Sequence, residues 1–151
     1  MEHRIAAGGI VVEDDRLLLV HCKEPELPAF WVPPGGGALI KEDIYQTAVR
    51  EVREETGLEV ELIKLAYVEQ LFDRKFHHLK LWFHARVVGG ELSIGHEEAK
   101  IEGITDVRFF SREELGERLV VPPFVQDILW DDHAKGFPTV RLFEPREMLL
   151  G

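Results

Sequence analysis

The chain holds a single cysteine, Cys22, among its 151 residues. One thiol closes no intrachain disulfide and builds no cysteine-based zinc site. Cys22 therefore reads as an ordinary small strand residue. Basic residues are also scarce, with 18 Lys and Arg against 28 Asp and Glu and a formal net charge of −10. Wrapping a nucleic-acid backbone needs a basic face, so no nucleic acid polymer is expected as a partner. A small anionic substrate is compatible with this charge, because bound cations invert the local field. No apolar run approaches the roughly 20 residues of a membrane span, and Met1-Glu2-His3-Arg4 lacks the layout of a signal peptide. The expectation is a cytoplasmic protein without a membrane partner. Repeats, linkers and low-complexity segments are missing too, which points to one domain over 1–151, as a monomer or homodimer.

What the chain does have is a dense stretch from Gly36 to Leu58, a glycine loop feeding a carboxylate-rich helix. Asp43 is placed to cap the helix, with Gln46 three residues on in a capping-box spacing, and Gly57 to end it. Ile44, Ala48 and Val52 recur every four residues and form a stripe that should dock on a sheet. Glu51, Glu54 and Glu55 meet along one edge of the last two turns. Like charges there repel each other by a few tenths of a kcal/mol per pair and sit at the wrong end of the helix dipole. A hard divalent cation with oxygen ligands would offset that repulsion. The competing explanation is a solvated helix whose Arg50 and Arg53 neutralise the glutamates.

The stretch resembles the Nudix box, Gly-x5-Glu-x7-Arg-Glu-(apolar)-x-Glu-Glu-x-Gly-(apolar), at every defined position. Gly36, Glu42, Arg50, Glu51, Val52, Glu54, Glu55, Gly57 and Leu58 fill those positions. The resemblance implies a hydrolase of nucleoside diphosphates linked to another moiety, on an α/β/α sandwich. It implies Mg2+ or Mn2+ held by Glu51, Glu54 and Glu55, with a backbone carbonyl of the glycine loop, here Gly35, as a further ligand. It also pairs Glu42 with Arg50, which would orient Glu51 although the two lie eight residues apart. The general base, or an extra metal ligand, comes in such proteins from a glutamate outside the box. Glu97, Glu98 and Glu102 qualify by location, with Glu98 and Glu102 preferred and Glu102 favoured as the one nearest the next strand.

The rest of the chain supplies a compatible scaffold. Ile5 to Val12 reads as a strand interrupted by small residues, where another backbone approaches closely. Glu13-Asp14-Asp15 turns it into Arg16 to Cys22, and Phe30-Trp31-Val32 is a short strand before the glycine loop. Leu58 to Phe72 is a long strand bent near Lys64, and Phe76 to Val88 alternates as a strand with one buried face. Ser93 to Gly103 is a polar loop, Thr105 to Phe110 a strand, Ser111 to Glu114 a capping box opening a short helix, and Phe124 to Ala134 a helix. Thr139 to Phe143 is an edge-strand candidate. Together these elements make an α+β fold with a mixed sheet.

Substrate selectivity must come from outside the box. The turn carrying Arg74, Lys75, His77 and His78 puts cations and donors on an acidic protein, so Arg74, Lys75 and His77 are substrate-binding candidates. A basic edge that blunts strand pairing explains them equally well. Adjacent histidines in a strand point to opposite faces, which argues against a joint metal site at His77 and His78. Phe30, Phe72, Phe76 and Phe124 are candidates for stacking a base, Phe30 foremost, although core packing is the commoner fate of such rings. Neither the proline of many ADP-ribose hydrolases nor the tyrosine of dinucleoside-polyphosphate hydrolases stands in Leu71 to Lys75. The expected substrate is a nucleoside diphosphate derivative such as ADP-ribose. The alternatives are a nucleoside triphosphate and, in another class, a nucleotide sensor without turnover.

Overall fold

The computed structural model describes residues 2–94, 97–101 and 103–148, with the backbone alone at 97 and 98. Strand β1 (Glu2–Glu13) turns through Asp14 and Asp15, both at positive φ, into β2 (Arg16–Cys22). Such a paired left-handed turn matches the twist of a tight hairpin. Next come β3 (Phe30–Val32), β4 (Gly35–Gly37), helix α1 (Ile44–Thr56), and the long antiparallel pair β5 (Leu58–Phe72) and β6 (Phe76–Gly90). Short elements complete the chain: α2 (Glu97–Ile101), β7 (Ile104–Phe110), α3 (Arg112–Leu115), a 3-10 turn at Pro123–Gln126, α4 (Ile128–Ala134), β8 (Arg141–Leu142) and β9 (Arg146–Glu147). Among the described residues no helix is long and apolar enough to cross a membrane.

The sheet is mixed, as expected for the α+β class. β1 runs parallel to β6 along one edge and antiparallel to β4 along the other, while its last residues cross to β2, which β3 and β7 flank. β8 and β9 lie parallel on the outer edge of β5. The bend anticipated near Lys64 is real: the β5–β6 register shifts between Leu62 and Lys64 and again between Leu65 and Tyr67. Each bulge sharpens the local twist and curls the pair around the core.

Alternate β1 residues face opposite layers. On one face the helix stripe residues Ala48 and Val52 are fully buried, Ala48 with Ala7 and Phe83 and Val52 with Val11 and Ala85. On the other, Ile10, Tyr67 and Trp82 pack with Phe124, Leu129 and Phe137 from the C-terminal third. This corrects the expectation that the Phe76 to Val88 strand has one buried face, since Trp82, on the face expected to be open, is fully buried. The cause lies opposite it in the register, at Gly8. A Cβ there would stand 2.6 Å from the Trp82 ring and 2.4 Å from the Pro34 carbonyl oxygen, so only glycine leaves room for both. Truncating an indole buried this way typically costs about 3–5 kcal/mol.

Three other boundaries differ from the sequence reading. The helix expected over 124–134 breaks at Asp127, whose carboxylate caps the Ile128 N–H and starts α4 afresh. The polar loop of 93–103 contains α2, which packs on α1 and β7. The glycine loop includes a strand, β4, because small residues let it lie directly along Ala6 to Gly8.

Candidate active site

Helix α1 begins and ends as its sequence dictates. Asp43 accepts from the Gln46 N–H while Gln46 accepts from the Asp43 N–H, and Gly57, at φ 80°, donates its N–H to the Arg53 carbonyl. These caps fix which residues face β4. Arg50 is the hub. Its Nε donates to Glu42 Oε2 at 2.7 Å and its Nη2 to Glu42 Oε1 at 2.9 Å, a bidentate pair across the eight-residue gap. Nη1 donates to Glu51 Oε1 at 3.0 Å and Glu54 Oε2 at 2.9 Å, and Nη2 also reaches the Gly37 carbonyl at 3.0 Å. One guanidinium thereby joins the start of the loop, β4 and the carboxylate edge of the helix.

The electrostatics follow from that geometry. Hydrogen bonding to Arg50 pulls the Glu42 carboxyl down to about 2, against the opposing effect of burial and with help from the Thr47 hydroxyl and Leu39 N–H. The Arg50 guanidinium is pushed up in turn, first by Glu42 and then by Glu51 and Glu54. One cation thus serves three carboxylates. Glu51 is 3% exposed, and among the described residues its Oε2 is buried without a hydrogen-bond partner. An orphaned carboxylate oxygen ordinarily costs several kcal/mol unless a cation meets it.

Gly36 shapes the space around that oxygen. A Cβ at this position would fall 2.7 Å from both Cδ and Oε1 of Glu51. Glu55, also 3% exposed, accepts a long bond of 3.4 Å from the Gly35 N–H, so the glycine strand flanks two of the three glutamates. Among the described residues no three His, Cys, Asp or Glu side chains converge as a closed metal cage, because Arg50 draws Glu51 and Glu54 toward itself. The donor set nevertheless suits a hard divalent cation: carboxylate oxygens, one of them on Glu51 buried and unpartnered among the described residues, with the Gly35 backbone alongside Glu55.

A half-open hollow of about 230 Å3 is lined by Cys22, Phe30, Leu71, Lys80, Trp82 and Arg146 among others. Glu69 lies in its wall, 3% exposed, accepting from Trp82 Nε1 at 2.8 Å and Arg146 Nη2 at 3.1 Å. A wider open groove of about 780 Å3 borders the start of α1 at Leu39, Ile40 and Tyr45. It touches Glu42 and Arg50 but none of the three glutamates, so it lies away from the carboxylate end of the helix.

A sequence model of the NUDIX domain matches residues 2–129. The chain belongs to the Nudix family. Over 100 residues it is 32% identical to an ADP-ribose pyrophosphatase of Methanocaldococcus jannaschii, covering 65% of this chain and 59% of that one. It is 27% identical over 128 residues to Nudix hydrolase 2 of Arabidopsis thaliana, covering 83% of this chain and 44% of the other. The chain thus spans about half the length of these curated relatives. A Nudix hydrolase structure from Nitrosomonas europaea superposes with a TM-score of 0.75 at 24% identity, over 98% of this chain and 81% of that one. A UDP-X diphosphatase superposes with a TM-score of 0.72 at 19% identity, over 95% and 68%. The Nudix fold expected from the box is the fold observed.

The residues singled out from sequence fall into three groups. Glu42, Arg50, Glu51, Glu54, Glu55 and Gly35 come together as described. Phe30 lines the hollow with Lys80 and Trp82, whereas Arg74 lies in a separate groove with Phe72 and Met148, and Lys75 is an exposed turn residue. His77 stacks flat on Phe72 at 4.4 Å and lines neither. His78 pairs with Asp73 at 3.1 Å, which organises the turn. Glu97 and Glu98 belong to α2 with their side chains outside the described residues, and Glu102 lies outside them altogether. Sequence reasoning passed over Lys80, Glu69 and Arg146. The signal for Lys80 was its place one step from Trp82 on the same strand face.

Proposed function

We propose that the chain hydrolyses the pyrophosphate bond of a nucleoside diphosphate linked to a second moiety, with ADP-ribose as the expected substrate. The observation that carries this reading is the Glu51 Oε2, buried against Gly36 and without a partner among the described residues, beside carboxylates that Arg50 only partly neutralises. Binding a nucleotide without turnover does not require three glutamates held in that way. The name of the Methanocaldococcus relative supports ADP-ribose, and that of the UDP-X diphosphatase supports the wider class.

Glu51, Glu54, Glu55 and the Gly35 carbonyl would hold Mg2+ or Mn2+. The bound cation supplies charge neutralisation at the phosphate oxygens and Lewis-acid polarisation of phosphorus. The protein's own contribution is placement. Glu42 and Gly37 fix Arg50, Arg50 fixes Glu51 and Glu54, and the β4 glycines leave space against them. Water attacks one phosphorus, the bridging P–O bond breaks, and AMP and ribose 5-phosphate leave. Glu98 or Glu102 takes the proton of the attacking water. α2 packs on α1, which supports a base from this segment.

The test is a substrate screen with purified protein and Mg2+ or Mn2+, covering ADP-ribose, nucleoside triphosphates, nucleotide sugars and dinucleoside polyphosphates. The expected result is AMP from ADP-ribose at the highest kcat/KM. Faster release of pyrophosphate from a nucleoside triphosphate would move the assignment to that class.

A further inference from the structure

Lys80 does not take part in the carboxylate network, yet it sits beside it. β1 lies between β4 and β6, and its register places Gly37, Ala6 and Lys80 in one row across the three strands. Two inter-strand steps of about 4.8 Å put the Lys80 backbone roughly 10 Å from the glycine loop, a gap that the side chain alone does not close and that a ligand would have to span. The amine lies over the Trp82 ring, 4.4 Å from its centroid, where desolvation by burial lowers its pKa against the opposing attraction of Glu69, Glu55 and Glu51. Among the described residues it is held by no hydrogen bond. A part-buried lysine that lines the hollow and lies within the field of the helix glutamates has donors available for an anion, whose charge would favour the protonated amine.

The hollow itself limits what lies beyond that anion. At about 230 Å3 it falls below the roughly 300 Å3 at which sites for whole ligands begin, so it takes one end of a molecule. Phe30, Leu71 and Trp82 give it apolar walls. Glu69 is already engaged by Trp82 and Arg146, while Arg146 uses Nε and Nη2 on Glu69 and retains further N–H donors. Flat apolar walls with spare donors suit a heterocyclic base that carries acceptor atoms.

We propose that Lys80 binds a non-bridging phosphate oxygen of the substrate at the mouth of this hollow, and that the hollow receives the nucleobase of the same nucleotide. This rests on the reading of the substrate as a nucleoside diphosphate derivative. Lys80 is a binding residue in this arrangement, and the scissile chemistry stays with the helix carboxylates.

The experiment is calorimetric titration of wild type, Lys80→Met and Lys80→Arg with ADP and with adenosine, all in excess chelator. Circular dichroism and melting establish that the variants are folded. ADP affinity should fall at least tenfold in Lys80→Met and recover partly in Lys80→Arg, with adenosine affinity within twofold throughout. In steady-state assays Lys80→Met should raise KM for ADP-ribose with kcat changed less than threefold, the pattern of lost binding. ADP bound equally by wild type and folded Lys80→Met, or by neither, overturns the proposal. Turnover is scored separately: protein that hydrolyses nothing contradicts the proposed hydrolysis, while the ADP titration still decides the role of Lys80.

Discussion

Gly36 and Glu51 share one space: a Cβ on the glycine would stand 2.7 Å from the carboxylate carbon of the glutamate. The loop glycine therefore serves the helix side chain more than its own backbone. Gly36→Ala must displace either β4 or Glu51. We expect overpacking to cost about 1–3 kcal/mol of stability. Activity should fall further than stability alone explains, since the shifted oxygen is the one proposed to meet the cation. Melting and steady-state turnover of the same sample check this, and a variant with wild-type kcat would show that Glu51 tolerates displacement.

Arg50 and Glu42 should behave as one unit. Each is close to nine-tenths buried, and the pair is bidentate. Removing Arg50 leaves Glu42, Glu51 and Glu54 without their shared cation, a loss of about 3–5 kcal/mol for a pair of this burial. In a double-mutant cycle of Glu42→Ala and Arg50→Ala the coupling should lie within about 0.5–3 kcal/mol. Additive effects on melting would refute the pairing as a source of stability.

Acid stability carries a signature of the same pair. Glu42 has a folded carboxyl near 2 against an ordinary 4.5. Its contribution is therefore fully present above pH 4.5 and is lost as pH falls toward 2, at most about 3 kcal/mol. His84 acts at higher pH. Burial, followed by His133 and Lys64, holds its imidazole below 6.5, so the unfolded chain takes up its proton first and stability starts to fall below that pH. Denaturant titrations at stepwise pH should show both phases in wild type and a smaller acid phase in Glu42→Gln, where Asp132, also held low by Arg141, still contributes.

A distant buried network offers a contrast. Asp132 accepts from the Tyr67 hydroxyl at 2.8 Å and, bidentately, from Arg141 at 2.7 and 2.8 Å, tying β5, α4 and β8 together. Asp132→Ala leaves a buried phenol and a guanidinium without their acceptor and should destabilise the protein by about 2–4 kcal/mol. KM and kcat measured well below the melting temperature should stay within a factor of about two. A tenfold fall in kcat would couple this face to the carboxylate site.

Local chemistry made the box helix legible in the sequence. Asp43, Gln46 and Gly57 carry their own capping signals, and the Ile44, Ala48, Val52 stripe predicts the docked face. The Glu42–Arg50 pair came from the family pattern, because two residues eight apart on a helix do not meet and only the turn before α1 brings Glu42 back. The β6 face was misjudged because the cover for Trp82 comes from Phe124, more than forty residues away, and the space for it from Gly8. Periodicity reports a strand's own alternation and cannot report a distant layer. The hollow at Lys80 was hidden for the same reason, since β1 sets the row that joins Lys80 to Gly37.

The claim that the carboxylate edge of α1 is the centre of a divalent-cation-dependent hydrolase is tested most directly by Glu54→Gln. Glu54 is the most exposed of the three glutamates and holds only one Arg50 donor, so its amide should fold normally. AMP release from ADP-ribose is followed with Mg2+, with Mn2+ and in excess chelator. The account predicts turnover in wild type that chelator abolishes, and in Glu54→Gln a loss exceeding the roughly 10–100-fold typical of outer-shell changes, at an unchanged melting temperature. Wild-type rates in the folded variant, or full activity in chelator, would contradict it.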